Sequence, residues 1–434
     1  MIGTLRSEGS DCNAYVTETI QIACNCISGL ISLPLFAKNL KEIKSSSQKI
    51  LIRLEADNDF YSQVSRLIDV VTPKMLPATR SYFSSVPIKM MRTQTQFDAE
   101  DSASEISKTG LGSSAALVTS LVGALVAFFI PNWQNLENDC DALDVVHNLA
   151  QLCHSAVQRK IGSGFDISAA CYGSQRYRRF PPQLLENISS QDDVKPQDLA
   201  SCVKNQSIWK SIMRVESFEL PPGFCCLMGD VVGGTSTVSM VQQVLAWTKE
   251  NPKPSRQIFD MIHSRNQQVE DTLIQLTMLL KKHPESNSVR RKLATTTSEM
   301  WPTIESALGI ICSEIRQSFL HVRQSLRELG RLTDALIEPP EQTALIDETM
   351  KVPGVLFAGV PGAGGYDAIF VVAMDESVLT HVEDFWEVWS ANHSSIVCPL
   401  LCEAMNKSSI DRIGALRSTR ISSFNSSKRP NNLV

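Results

Sequence analysis

Lys108-Thr109-Gly110-Leu111-Gly112-Ser113-Ser114-Ala115-Ala116 stands at the head of residues 111–130, a stretch that carries no charged side chain. Two glycines permit a tight turn and a close approach to the backbone. Two hydroxyls follow, and then a long apolar helix is expected. The start of a helix offers unpaired N–H donors and the positive end of its dipole. Together these features make a phosphate cradle, in which the serines add hydrogen bonds or reach a magnesium ion. A plain glycine turn with serine caps on a core helix fits the same string. A dinucleotide fingerprint, G-x-G-x-x-A on Gly110, Gly112 and Ala115, requires a hydrophobic strand just before it and an acid about twenty residues on. Here 102–107 is mostly polar, and the next acid is Glu137, beyond the helix. The Walker pattern G-x-x-x-x-G-K-[ST] is absent.

The uncharged stretch is long enough to cross a bilayer. It also holds Ser113, Ser114, Thr119 and Ser120, stops at Pro131, and has an aromatic flank, Trp133, at one end only. A helix buried in a protein is apolar all round, and that is the expectation.

Downstream, Leu143, Val146, Leu149, Ala150, Cys153 and Val157 recur at helical spacing until Gly162 and Gly164 break the pattern. Asp166 follows at the start of a further helix. It serves either as a helix cap or as the carboxylate that orients a nucleophile for phosphoryl transfer. Gln175 to Phe180 alternates like a strand, with Arg176 and Arg178 on one face. Lys108, Lys160, Arg176, Arg178 and Arg179 are available to grip a phosphorylated acceptor, or to form a solvated basic strand. Further on, Gly362-Ala363-Gly364-Gly365 lies between two apolar runs, 355–360 and 368–373. So dense a glycine cluster points to close backbone approach by a substrate or nucleotide.

The unbroken string 110–116 resembles the central motif of the GHMP superfamily of small-molecule kinases. Residues 162–166, 172–174, 176–182 and 360–368 resemble the phosphomevalonate kinase family in particular. The resemblance runs from about 13 to 375. It implies an α+β, two-domain GHMP kinase fold: an N-terminal β/α domain with the helix-start phosphate loop over 1–220, and a ferredoxin-like α/β domain over 221–393. It implies ATP-dependent phosphorylation of (R)-5-phosphomevalonate to 5-diphosphomevalonate in the mevalonate pathway of isoprenoid and sterol biosynthesis. The implied cofactors are ATP and Mg2+. Carried over position by position, Asp166 and Lys108 are catalytic. Gly110, Leu111, Gly112, Ser113, Ser114 and Ala115 bind the nucleotide, with Ser113 and Ser114 near the metal. Lys160, Ser163, Gly164, Arg176, Gly362, Ala363, Gly364 and Gly365 bind the substrate. Mevalonate kinase, diphosphomevalonate decarboxylase and an inactive nucleotide-binding remnant are the alternatives.

Two departures from the family pattern stand out. The P-G-K…G-G-Y motif that opens the family has no counterpart, so a fold lacking its first strand is expected. Gln158-Arg159-Lys160 replaces the usual Q-G-K, and the arginine is expected to crowd the loop. Elsewhere, a helix over 13–35, a polar loop over 38–47, a strand over 50–54 and a tail over 394–434 are read.

The chain has 434 residues, a formal net charge of −5 and 12 cysteines without two-pair C-x-x-C metal spacing. Mild acidity excludes a global pull toward nucleic acid or anionic membrane. A monomer or weak homodimer with reduced thiols is expected. The cytoplasm is the expected location and the peroxisome the alternative, although 432–434 is not the peroxisomal tripeptide.

Overall fold

A computed structural model describes residues 13–45, 50, 52, 54–56, 86–87, 112–130, 140–189, 194–212, 214–231, 237–304 and 306–400. These fall into two compact units, the first holding the described residues up to Ala56 and from Gly112 to Glu219, the second Val86–Pro87 and those from Leu220 on.

The first unit is built on helices α1 (Ala14–Ile31), α2 (Leu33–Ser45), α3 (Ser113–Phe129), α4 (Cys140–Gln158) and α5 (Phe165–Tyr172). Asn13 starts α1, its side-chain oxygen accepting from the Tyr15 amide at 3.0 Å. The uncharged stretch becomes α3, with Ala115, Val118, Val122, Leu125, Val126 and Phe129 buried against α1 and α4. It is thus a core helix, as its all-round apolarity implied. Among the described residues no single helix is long and apolar enough to cross a membrane. The α1–α2 pair passes that test together but is bent by 119°.

The polar stretch read as a loop over 38–47 is a helix as far as Ser45. The chain turns at Ser32, φ 79°, and Pro34 then sits in the first turn of α2, where a missing N–H costs nothing. Pro34 therefore begins a helix rather than closing one. Phe36 anchors it, with its ring 4.9 Å from that of Phe129. The strand read over 50–54 is likewise displaced. A two-residue strand, β1, occupies Glu55–Ala56; another, β2 (Val86–Pro87), falls in the second unit. Ile50 and Ile52 stay more than a third exposed and pack into no core. The first unit also holds a hairpin of β3 (Gln175–Arg178) and β4 (Arg214–Ser217), with α6 (Gln183–Ser189), α7 (Pro196–Lys204) and α8 (Gln206–Ile212) between its strands.

The second unit runs β5 (Cys225–Val231), α9 (Thr237–Glu250), α10 (Pro252–Lys282), α11 (Ser286–Ala294), α12 (Ala307–Thr333), α13 (Pro340–Thr349), β6 (Val355–Gly359), β7 (Ala368–Ala373), α14 (Glu376–Asn392) and β8 (Val397–Leu400). Its sheet is antiparallel in the order β6-β7-β5-β8. Helices separate β5 from β6 and β7 from β8, which gives the β-α-β-β-α-β arrangement of ferredoxin-like domains. Phe319 of α12 stacks on Phe357, centroids 4.3 Å apart. Strand β8 lies within the span read as a tail, and its Val397, Cys398 and Leu400 are buried against β5. A four-residue edge strand containing Pro399 has little local signature; its pairing with β5 forms it. Residues 401–434 lie outside the described residues, as does most of the 50–111 span.

Candidate active site

Gly112 is the N-cap of α3 and adopts the left-handed conformation, φ 75°, which glycine reaches without strain. No side chain caps this helix, and its first turn holds no acid. The first internal bond runs from the Ala116 amide to the Gly112 carbonyl at 3.0 Å. The amides of Ser113, Ser114 and Ala115 precede that bond, and among the described residues none has a partner, which leaves them available to an anion. Lys108, Gly110 and Leu111 lie outside the described residues.

The second element is the turn from α4 into α5. Helix α4 closes in a Schellman motif: the Arg159 amide bonds the Ala156 carbonyl at 3.1 Å, and the Lys160 amide the Ser155 carbonyl at 3.2 Å. That motif places its next residue in the left-handed region, and Arg159 has φ 54°. Its side chain does not crowd the loop but turns outward to Glu18, 3.1 Å away. The departure from Q-G-K is thus carried by backbone strain. Gly164, φ 76°, caps α5, and Asp166 follows in the first turn, half-buried, its Oδ1 accepting from the Ile167 amide at 2.9 Å.

The two elements meet. A Cβ added to Gly112 would stand 3.4 Å from the Cβ of Asp166. Ser114 Oγ lies 3.1 Å from Nε2 of His154 on α4. Burial pushes the His154 imidazole below its ordinary pKa; the nearby Asp166 carboxylate opposes that and the Lys160 ammonium reinforces it. Ser114, Lys160 and Asp166 therefore surround one buried histidine. The turn is braced from β3 as well. The Tyr177 hydroxyl donates to the Ser163 carbonyl at 3.0 Å, and Arg179 donates to the Ile161 carbonyl at 3.1 Å. Burial raises the Tyr177 phenol to about 12, so it remains a donor at neutral pH. Arg176 faces its cross-strand partner Glu216 at 3.7 Å, both about half exposed.

Gly362, Ala363, Gly364 and Gly365 belong to the second unit, in the loop joining β6 to β7. Gly362, Gly364 and Gly365 have φ of 63°, 81° and 101°. A Cβ on Gly364 would collide with the Ile337 carbonyl, and the Gly365 amide donates to that same oxygen at 2.9 Å. Packing within the unit thus accounts for Gly364. Around Gly362 an added Cβ meets nothing within 4 Å.

The sequence reading missed His154, Gln151 and Tyr177. His147, Gln151, His154 and Gln158 follow one another at spacings of four, three and four, a polar stripe along one face of the helix. That spacing was the available signal. Among the described residues no three His, Cys, Asp or Glu side chains cluster as metal ligands, and nine cysteines are free thiols.

Residues 89–174 match the GHMP kinases N terminal domain. The chain is 34% identical over 354 residues to the peroxisomal phosphomevalonate kinase of Arabidopsis thaliana, a match covering 77% of this chain and 69% of that relative. It is 31% identical over 385 residues to the phosphomevalonate kinase of Aspergillus fumigatus, covering 87% of this chain and 68% of that protein. Its fold resembles that of the Lin0012 protein from Listeria innocua, TM-score 0.52 at 18% identity, covering 92% of this chain and 79% of that one. The chain thus spans about two thirds of the length of these curated relatives, and by that extent of identity it belongs to the phosphomevalonate kinase family of the GHMP kinases.

Proposed function

We propose that this chain transfers the γ-phosphoryl group of ATP to the phosphate of (R)-5-phosphomevalonate, giving 5-diphosphomevalonate and ADP. The observation that carries the reading is the proximity of Gly112 to Asp166: a helix start without a side-chain cap lies beside a residue that bears a carboxylate. The names of the relatives supply the substrate.

The amides of Ser113, Ser114 and Ala115 hold the nucleotide's phosphates, and Asp166 aims the acceptor phosphate oxygen at the γ-phosphorus. That oxygen forms the new P–O bond as the β–γ bridging bond breaks, its electron pair leaving with ADP. Positioning and charge neutralisation do most of the catalysis in such a reaction. Lys160 and the sequence-assigned Lys108 supply cations, and Ser163 and Gly164 shape the acceptor side; the sequence-assigned Gly362, Ala363, Gly364 and Gly365 belong to the second unit. The hydroxyls of Ser113 and Ser114 and the Asp166 carboxylate are hard oxygen donors that suit magnesium. Magnesium, when bound, neutralises charge on the transferring phosphoryl group. We place the activity in the cytoplasm, with the peroxisome as the alternative because of the Arabidopsis relative.

The test is ADP release by the purified chain with phosphomevalonate, mevalonate and diphosphomevalonate in parallel. Turnover with phosphomevalonate alone, abolished in Asp166→Asn, supports the reading. Turnover with one of the other two substrates reassigns it, and nucleotide binding without any turnover identifies a binding remnant.

A further inference from the structure

Helix α4 presents two buried amphiphilic side chains to the site, and each grips a different half of it. His154, 7% exposed, contacts the Ser114 hydroxyl on the phosphate-binding helix start. Gln151, 2% exposed, donates through Nε2 to the Gly164 carbonyl at 2.7 Å, two residues before Asp166. The Gln151 amide packs so closely on Gly164 that an added Cβ would lie 2.5 Å from its Oε1. Residues 151 and 154 are three apart on a helix, so they project from one face with their separation set by the helix itself.

The rest of the stripe locks these two rotamers. Gln151 Nε2 also lies 3.1 Å from His147 Nε2, and His147 Nδ1 lies 2.9 Å from Asn148 Oδ1. Asn148 in turn donates to the Val203 carbonyl on α7 at 2.9 Å. Gln158 Nε2 stands 2.9 Å from His154 Nε2. One ring nitrogen of His154 thus stands between the Gln158 amide and the Ser114 hydroxyl. Leaving so many polar groups buried is costly unless each has a partner, and here each grips another or the backbone.

Resting on the kinase reading above, we propose that Gln151 and His154 are positioning residues: one rigid helix sets the spacing between the phosphate cradle, through Ser114, and the nucleophile-aiming carboxylate, through the Gly164 carbonyl. Neither residue touches substrate in this scheme.

The two grips separate experimentally. Affinity for the magnesium complex of a non-hydrolysable ATP analogue is measured by calorimetry, and kcat per folded molecule separately. His154→Leu removes the hydrogen bond to Ser114 and is expected to weaken analogue binding about tenfold. His154→Gln, whose amide reaches the same point, is expected to stay within about threefold of the parent. Gln151→Met keeps shape without the amide and is expected to lower kcat about tenfold or more with analogue affinity unchanged. If His154→Leu does not fold, His154→Asn, whose shorter amide stops short of Ser114, carries the same arm and is expected to show the same tenfold loss. Lower melting temperatures with unchanged affinity and unchanged kcat per folded molecule would overturn the proposal, leaving a purely structural role. A parent chain without turnover sinks the substrate assignment, while the analogue-binding arm still decides the role of His154.

Discussion

Gly112 and Asp166, 54 positions apart in sequence, are neighbours in space: a Cβ on the glycine would stand at ordinary van der Waals distance, 3.4 Å, from that of the aspartate. The spacing leaves room for a methyl group, so the requirement for glycine comes from φ 75°. Gly112→Ala should therefore cost about 1 kcal/mol of stability, the price of a left-handed L-residue. By shifting the amides at the head of α3, it should also lower kcat/KM by roughly tenfold or more. Chemical denaturation and steady-state kinetics check both effects. A variant as active as the parent would show that this helix start holds no phosphate.

Arg159 makes the opposite prediction. It sits in the left-handed position of a Schellman motif, where glycine is preferred, and its ion pair with Glu18 involves an arginine side chain 76% exposed. Such a pair is worth under about 1 kcal/mol, against roughly 1–2 for the backbone conformation. Arg159→Gly should raise the melting temperature, with a gain of up to about 1 kcal/mol. A lower melting temperature would mean that the Glu18 pair outweighs the strain.

His147 gives a pH signature. It is fully buried on α4 between the rings of Tyr172 and Trp209, and burial holds its imidazole down to about 4, against the Asn148 hydrogen bond and the Asp144 carboxylate, which favour protonation. Between about pH 6.5 and 4 the unfolded chain binds a proton there that the folded chain does not. Stability therefore falls as pH drops through that window, by roughly 3 kcal/mol in all from this group. Urea unfolding at pH 7 and pH 5 should show the loss in the parent and a smaller one in His147→Gln. Equal losses would assign the acid sensitivity to other groups.

In the second unit, Arg323 and Glu338 are both buried and paired at 2.7 Å, with Arg327 adding a 2.8 Å bond to the same carboxylate oxygen. Arg323 also holds Asp347 at 2.7 Å. Arg323→Met leaves Glu338 with the partly exposed Arg327 and the Thr343 hydroxyl, 3.1 Å away, and should destabilise by about 3 kcal/mol, as removal of one partner from a buried pair does. A loss under about 1 kcal/mol in denaturant titration would show that Arg327 and Thr343 satisfy the carboxylate between them.

The legible parts of this molecule are those whose signals are local. Helix α3 and its glycine start were readable because twenty uncharged residues behind two glycines have few other uses. Strands β6 and β7 were readable because apolar β-branched runs flank a glycine cluster. Helix α2 was misread because Pro34 is a breaker in a helix interior but a starter in a first turn, and only the backbone at Ser32 decides which. Strand β8 exists through its partner β5, a contact no local pattern encodes. Gln151 and His154 were passed over because polar residues in an amphipathic helix ordinarily face water. That these face a turn and a second helix start is a fact of tertiary packing.

The account stands or falls on phosphoryl transfer at the junction of Ser114 and Asp166. Phosphorus NMR of the purified chain with magnesium, ATP and phosphomevalonate follows it directly. The prediction is loss of the acceptor's monophosphate signal and growth of two coupled diphosphate signals in step with ADP, with neither change in Asp166→Asn. An unchanged spectrum, or ADP accompanied only by inorganic phosphate, would contradict it.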